Sequence, residues 1–389
     1  MHATNHPTEP IYITWVENEQ TQQARWCAEN NHSPPKRIIT SDDTLSADAA
    51  YRLISQGTSL LWRGDFQNAR QLLQALARRI DKKQEGAKKK RGKDDAPTAP
   101  LDIFNQHRLR QAQRTDLLNR LLIELDADSV IHLRRAPDVR AACQAALDIP
   151  GEPFLLSLRA LQGIIGAHEW RKKGVAVPGL AQAIHVHYGV YSPNRGEYLD
   201  LLAQAPLPTT ALAFDIGTGS GVIAALLAQR GVRHIVATDT DARALACARE
   251  NIDRLGLGAV VDLRHADMFP QGRSPLIVCN PPWLPARPTT PIEHAIYDPA
   301  SRMLLAYLDG LAQHLEPDGE GWLIMSDLAE HLGLRSPGFL TEAIAAAGLR
   351  VVGKLEIRPR HPKATDASDP LHAARRAETT SLWRLAINT

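Results

Sequence analysis

A glycine-rich stretch follows an apolar run near the middle of this 389-residue chain, and its residue types could bind a ligand. It reads Asp215-Ile216-Gly217-Thr218-Gly219-Ser220-Gly221, and we call residues 215–221 the glycine loop. Alternating glycines remove three β-carbons from a tight turn. The main chain can then approach a ligand closely and offer backbone N–H groups at the start of a helix. The stretch predicts a small-molecule site.

The spacing of these glycines excludes two common nucleotide-binding motifs. A nicotinamide dinucleotide fingerprint needs its third glycine at position 222, where this chain has Val222. A phosphate-binding P-loop needs Gly-Lys-Ser/Thr after the turn, and that sequence does not follow. The ligand is therefore of another class.

Two further carboxylates come where predicted strands end. Asp239, followed by Thr240, closes a predicted strand over residues 234–239, and a carboxylate there can accept hydrogen bonds from both hydroxyls of a ribose. Asp267 follows the next predicted strand and could accept from an adenine amino group while Met268 packs on the ring. Because open parallel sheets bind ligands at their carboxyl ends, these residues and Asp215 predict a site for an adenosyl group.

A fourth strand end carries Asn280-Pro281-Pro282-Trp283, which we call the Asn-Pro-Pro-Trp motif. Its prolines fix the backbone and remove two donors, which leaves the side-chain oxygen of Asn280 and the carbonyl of Pro281 as acceptors beside a large aromatic face. Such a group suits a planar substrate with an NH2 group, whose ring would stack on Trp283. We predict that these four residues are catalytic.

These motifs resemble those of class I S-adenosylmethionine-dependent methyltransferases. Within that class they resemble the group that carries an Asn/Asp-Pro-Pro-aromatic motif and methylates exocyclic amino groups or glutamine amides. Residues 237–239, 244–251, 267–269 and 280–282 are similar to the HemK (PrmC-like) glutamine methyltransferases. Residues 189–192 resemble ribosomal RNA guanine methyltransferases of the small-domain group. Trp283 stands where the group usually has Tyr or Phe. The resemblance covers roughly residues 184–389.

The resemblance implies S-adenosylmethionine as the cofactor. Together with the strand-end argument it gives the cofactor-binding residues Asp215, Gly217, Thr218, Gly219, Gly221, Asp239, Thr240, Asp267, Met268 and Asn280.

The elements that must position these residues follow from the alternation of strands and helices after residue 211. The pattern predicts an α/β, Rossmann-like sheet of seven strands whose last strand is antiparallel, in a methyltransferase domain over residues 166–389. Residues 1–165 show mainly helical periodicity. We expect there a mostly helical accessory domain for substrate recognition, with a basic loop at residues 82–100.

Three functions fit these features. The first is N-methylation of an exocyclic amino group of nucleic acid, RNA rather than DNA, favoured by the basic loop and by a second basic segment, the insert (residues 359–378). Arg195, Arg360 and Lys363 are the candidate substrate-binding residues. The second is methylation of a protein glutamine amide, favoured by the motif context. The third is a cofactor- or RNA-binding protein without catalysis.

Composition sets the remaining expectations. The net charge is only +2, so attraction to polyanions must come from local patches. The four cysteines are scattered, and His185 and His187 lack a third ligand at suitable spacing, so we expect neither a disulfide framework nor a metal site. No apolar run reaches the ~20 residues that span a bilayer. We therefore expect a cytoplasmic protein that is not in a membrane.

Overall fold

The computed structural model describes residues 10–28, 33–90, 99–149, 151–193, 196–288, 291–360 and 366–388. The chain divides into two compact units. The first contains Met1–Ala96 and Gln106–His168, and the second contains Pro97–Asn105 and Glu169–Thr389. The main division therefore falls between residues 168 and 169, and a short segment from the N-terminal half belongs to the second unit.

The first unit is built on a six-stranded mixed sheet of order β1-β2-β6-β5-β4-β3. Its strands are β1 (Tyr12–Glu17), β2 (Gln20–Trp26), β3 (Ile38–Ser41), β4 (Ser59–Trp62), β5 (Leu121–Leu125) and β6 (Phe154–Ser157).

Among the described residues of this half, more lie in helices than in strands, as the periodicity predicts, but the six-stranded sheet was not expected. Strands β4 and β6 have four residues each, all buried, and β5 is buried at four of its five positions. A short strand that is covered on both faces shows no apolar–polar alternation, so its leucines cannot be told from a buried helical stripe by periodicity. Leu121 and Leu122 are examples, because both belong to β5.

The predicted basic loop is also corrected. Residues 82–90 continue a 25-residue helix, because Lys, Gln, Glu and Ala are good helix formers and the helix starts on the buried Phe66. Residues 91–98 lie outside the described residues. The helices of the N-terminal half are α1 (Ala47–Ser55), α2 (Phe66–Lys90), α3 (Pro100–Leu118), α4 (Arg140–Ala146) and α5 (Leu158–Lys173).

The second unit contains the sheet that the sequence predicts. Its seven strands have the order β12-β13-β11-β10-β7-β8-β9, with β13 antiparallel to both of its neighbours. Seven strands with an antiparallel last strand are thus confirmed. The strands are β7 (Leu212–Ile216), β8 (His234–Asp239), β9 (Val261–His265), β10 (Ser274–Cys279), β11 (Leu315–Ser326), β12 (Leu349–Ile357) and β13 (Thr380–Ile387).

Helices cover both faces of this sheet. One buried cluster joins α6 and α7 to β7, β8 and β10, and another joins α9 and α11 to the opposite face. The helices are α6 (Glu197–Gln204), α7 (Val222–Gln229), α8 (Ala242–Arg254), α9 (Arg302–His314), α10 (Leu328–His331), α11 (Phe339–Ala346) and α12 (His372–Ala377).

Among the described residues, no helix combines the length and the apolar character needed to cross a bilayer.

Candidate functional site

The glycine loop joins β7 to α7 in a conformation that only glycine adopts easily. Gly217, Gly219 and Gly221 have φ values of +73°, +57° and +79°. A β-carbon on Gly221 would lie 3.2 Å from the backbone Cα of Ala248 in α8, whereas one on Gly219 would meet no heavy atom of the described residues within 4 Å. The loop is thus packed against α8 at its end and open above its middle glycine.

Asp215 lies fully buried under this loop. Its Oδ2 accepts hydrogen bonds from Thr218 Oγ1 at 2.6 Å and from the backbone N–H of Ala224 at 3.1 Å. Its Oδ1 is buried and has no hydrogen-bond partner within the described part of the chain. Burial raises the pKa of Asp215 to about 7. A buried carboxylate oxygen without a donor is costly, so the site is suited to a ligand that donates a hydrogen bond or carries positive charge.

Asp239 ends β8 beside the loop. Its Oδ2 accepts from the N–H of Gly219 at 2.9 Å, and its Oδ1 accepts from the N–H of Asp241 at 2.9 Å. Burial raises the pKa of Asp239 above its usual value, although both backbone bonds favour ionisation. Each oxygen retains acceptor capacity, since a carboxylate oxygen can take about two hydrogen bonds. Thr240 follows as an exposed residue.

Asp267 and Met268 follow β9, the next strand across the sheet. Asp267 is exposed, and Met268 has a φ of +72°, which a non-glycine residue adopts only when its surroundings hold it there. The hydroxyl of Thr238 donates to the carbonyl of Met268 at 2.6 Å and ties this turn to β8. Three neighbouring strands therefore bring Asp215, Asp239 and the Asp267 turn to one edge of the sheet.

The Asn-Pro-Pro-Trp motif follows β10, the strand on the other side of β7. Cys279 of β10 pairs with Ile216 of β7, so Asn280 and Gly217 leave adjacent parallel strands at the same level. Neighbouring strands are about 4.8 Å apart, which places the motif directly beside the glycine loop. The indole N–H of Trp283 donates to Oδ1 of Asn280 at 3.0 Å.

The segment after the motif returns to the glycine loop through α9. The buried carboxylate of Asp298 accepts from the backbone N–H groups of Met303 and Leu304 at 3.0–3.2 Å and so caps this helix. A β-carbon on Gly217 would lie 2.6 Å from Cε of Met303. Met303 therefore forms one wall of the glycine loop.

Residues 182–332, which contain the glycine loop, the strand-end carboxylates and the motif, match the family model described as the methyltransferase small domain. This segment is therefore similar to the methyltransferase small domain. The match ends before β12, so the last two strands and the insert lie beyond it.

Three relatives illustrate the similarity. A release factor glutamine methyltransferase of Cereibacter sphaeroides is 33% identical over 181 residues, which are 43% of this chain and 63% of that protein. A tRNA1(Val) (adenine(37)-N6)-methyltransferase of Shewanella sp. MR-4 is 30% identical over 132 residues, 32% of this chain and 56% of that protein. A ribosomal protein L11 methyltransferase of Symbiobacterium thermophilum is 41% identical over 66 residues, 17% of this chain and 22% of that protein. This chain thus spans less than two thirds of the length of each of these relatives.

A buried asparagine of the methyltransferase small domain holds the chain that precedes the glycine loop. Asn251, 1% exposed, donates from Nδ2 to the carbonyl of Ser220 at 3.0 Å and accepts from the N–H of His185 at 2.7 Å. Asn251 was not among the site residues predicted from the sequence. Asn251 lies in the buried stripe of α8 with Ala248 and Ile252. A polar side chain on an apolar helix face needs specific hydrogen-bond partners, and this pattern could have indicated its role.

The two histidines considered as metal ligands have other partners. The ring of His185 bonds through Nδ1 to the carbonyl of Arg171 at 2.6 Å, and His187 Nε2 lies 2.7 Å from Oε2 of Glu250. Burial opposes ionisation of Glu250, but bonds from His187, Arg254 and Arg171 outweigh it and lower its pKa to about 2. This network anchors the segment around residue 187 to α8.

Residues 366–378 of the insert lie at the same edge of the sheet as the motif. Leu371 shares a buried cluster with Leu284, the residue after Trp283, and with Phe104 in the first turns of α3. Phe104 could not be predicted from the sequence, because nothing local links residue 104 to residue 284.

The candidate substrate-binding residues have mixed outcomes. Arg195 and Lys363 lie outside the described residues. Arg360 is described: its backbone N–H donates to Glu197 Oε1 at 2.6 Å, and its guanidinium, on a side chain 73% exposed, is 3.6 Å from Asp200. Arg375 of the insert is 3.0 Å from Asp369, and both side chains are mostly buried. Arg360 thus remains accessible to a substrate, whereas Arg375 is committed to Asp369.

Proposed function

We propose that this protein is an S-adenosylmethionine-dependent N-methyltransferase that acts on a planar NH2 group. The observation that carries the proposal is the pairing of Ile216 with Cys279, which sets the glycine loop and the Asn-Pro-Pro-Trp motif side by side at the carboxyl edge of one sheet. A cofactor site and a site for an amino group must be adjacent for direct transfer between them.

The residues at the glycine loop fit S-adenosylmethionine. Its α-ammonium group is a cationic donor of the kind that the unpartnered Oδ1 of Asp215 requires, and its ribose hydroxyls are donors that Asp239 can accept. The open space above Gly219 allows a ligand to contact the backbone. The cofactor, when bound, supplies an electrophilic methyl group on a sulfonium sulfur. Thr218, Thr240, Asp267 and Met268 complete the proposed cofactor site.

The motif supplies what the amino group needs. The lone pair of an aryl amine or an amide is delocalised, which makes the nitrogen a poor nucleophile. Acceptors at Asn280 Oδ1 and the carbonyl of Pro281 would each hold one N–H and favour a pyramidal nitrogen. Pro282 keeps the turn rigid, and Trp283 offers a stacking face worth about 1–3 kcal/mol for a base. Orientation of the reacting groups can supply up to ~7–11 kcal/mol of the barrier.

We place an exocyclic amino group of RNA first as the substrate, ahead of DNA. The similarity to a tRNA adenine-N6 methyltransferase fits this substrate, as do the exposed cations Lys82 and Lys83 on α2 and Arg360 in the insert. The N-terminal half would then assist in substrate recognition. A protein glutamine amide is the second candidate, because the longest of the three matched segments is that with a release factor glutamine methyltransferase.

Methyl-labelled cofactor incubated with the full chain and with RNA, DNA, ribosomes or release factors tests the proposal. Label removed by ribonuclease supports the RNA assignment, whereas label removed only by protease selects the glutamine assignment. Cofactor binding without any labelled product would contradict both and indicate a protein that binds without catalysis.

The variant Asn280→Ala separates the two halves of the site. We expect it to abolish methyl transfer and to leave S-adenosylmethionine affinity, measured by calorimetry, within about threefold of wild type, since Asp215 and Asp239 remain. Loss of both properties would show that Asn280 mainly supports the cofactor site.

A further inference from the structure

We propose that Trp283 is a positioning residue for Asn280: its indole N–H fixes the Asn280 amide with the oxygen as the acceptor that faces the substrate site. This inference rests on the proposed function and deepens it, because it adds a role to the stacking that any aromatic residue could provide.

The chemistry of the contact defines the orientation of the amide. An indole N–H can only donate, so the Asn280 atom 3.0 Å away must be the acceptor oxygen and not the amide nitrogen. The carbonyl oxygen of an amide has two lone pairs, so one is taken by Trp283 and one remains for a substrate N–H. The rotated amide would point its own NH2 group at the substrate NH2 group, which has no acceptor to offer.

Packing makes the indole a firm support for this bond. The half-buried Trp283 ring packs against both clusters that cover the two faces of the sheet. The prolines at 281 and 282 hold the chain that joins Asn280 to Trp283. A phenylalanine or tyrosine at position 283 would keep an aromatic face but has no ring N–H, so of these three residues tryptophan alone supplies both the face and a ring donor.

Indole NMR tests the bond without any need for activity. In protein labelled with ¹⁵N at its seven tryptophans, the Trp283 signal is the one that disappears in Trp283→Phe. We expect Asn280→Ala to move that signal upfield and to speed its exchange with solvent, while the other tryptophan signals stay in place as evidence of an intact fold. An unmoved Trp283 signal would overturn the inference, whatever the substrate is.

A double-mutant cycle tests the consequence for catalysis. We expect Trp283→Phe to lower the single-turnover rate constant by about 3- to 10-fold, the effect of one net hydrogen bond. Aspartate at position 280 has two equivalent oxygens and needs no orientation, so Trp283→Phe in an Asn280→Asp background should cost less than about twofold. The change in stacking area is common to both backgrounds and cancels.

The positioning role would be overturned if Trp283→Phe lowered the single-turnover rate constant equally in the two backgrounds, or if it did not lower that constant in the wild-type background. If no acceptor is methylated by the wild-type protein, the proposed function fails, and the indole signal still shows whether the Asn280 amide is held.

Discussion

The buried carboxylate of Asp215 is the residue whose environment most constrains the proposed ligand. Its pKa of about 7 lies well above the value near 3.9 of an exposed aspartate, because burial disfavours the charge and only one of its two oxygens has partners among the described residues. A cationic ligand group beside Oδ1 would restore the charged form.

This environment predicts a specific pH dependence. Between about pH 4 and 7, Asp215 binds more protons in the ligand-free folded protein than in the unfolded chain. The contribution of Asp215 to the free energy of unfolding therefore falls as pH rises through this window. A cationic ligand needs the ionised form, so S-adenosylmethionine affinity should rise from pH 6 to pH 8. Calorimetry and thermal unfolding at these pH values measure both trends.

Asp215→Asn is the matched control. It keeps the shape and the acceptor for Thr218 and Ala224 but removes the titration, so the pH dependence of both quantities should flatten. Cofactor affinity should fall by about 10-fold or more, the effect of one charge-assisted hydrogen bond. An undiminished affinity would argue against contact between Asp215 and the cofactor.

Alanine variants of Gly221 and Gly219 distinguish the effect of packing on stability from the effect of ligand access on cofactor affinity. Both have positive φ, so alanine at either position carries a conformational penalty of about 1–2 kcal/mol. Gly221→Ala should destabilise further, because its methyl group meets the backbone of Ala248. Gly219→Ala should chiefly weaken cofactor binding, since its methyl group enters open space above the loop.

Urea unfolding without ligand and calorimetry with S-adenosylmethionine measure these two effects. Equal decreases in the free energy of unfolding for the two variants would contradict the packing assigned to Gly221.

At the scale of elements, the first turns of α3 pack beside the segment that follows the Asn-Pro-Pro-Trp motif. Phe104 is 2% exposed and lies in the buried cluster with Leu284, Leu328 and Leu371. Phe104→Ala should therefore lower the free energy of unfolding by about 3–5 kcal/mol. Denaturant unfolding of the full chain measures the loss.

Leu109 on the same helix provides the control, because its side chain is 59% exposed. Leu109→Ala should change the free energy of unfolding by no more than about 0.5 kcal/mol. A similar loss for the two variants would mean that α3 contributes through its helical propensity and not through Phe104.

At the scale of the whole molecule, a net charge of +2 makes any RNA affinity depend on where the cations lie. The exposed Arg360 and Arg376 lie within the insert, near its two ends. Replacing both with alanine should weaken RNA binding and reduce the slope of log affinity against log salt by about 0.7–0.9 for each phosphate that is no longer neutralised. Filter binding at several salt concentrations measures this slope.

Arg233 and Arg350 supply a control of equal charge. Both side chains are exposed. Arg233 precedes β8 and Arg350 lies at the start of β12, so both are at the opposite, amino edge of the sheet. Their double alanine variant should leave the slope unchanged. If both double variants reduce the slope of log affinity against log salt equally, the attraction comes from net charge and the insert has no special role.

Local patterns in the sequence determined most of the methyltransferase small domain. The glycine loop, the Asn-Pro-Pro-Trp motif and the strand–helix alternation were readable because each depends on residues close together in the chain, where glycine, proline and apolar periodicity fix the backbone. The same patterns predicted seven strands with an antiparallel last strand, and the structure confirms both features.

Only the tertiary structure decided which distant groups meet. It revealed the sheet of the N-terminal half, because strands of four or five buried residues acquire their identity from partners far along the chain, as β5 does from β4 and β6. It also paired Arg375 with Asp369, placed Phe104 in one buried cluster with Leu284, and showed that Trp283 donates a hydrogen bond to Asn280. The sequence determined which groups could do the chemistry, and long-range packing decided how they are held.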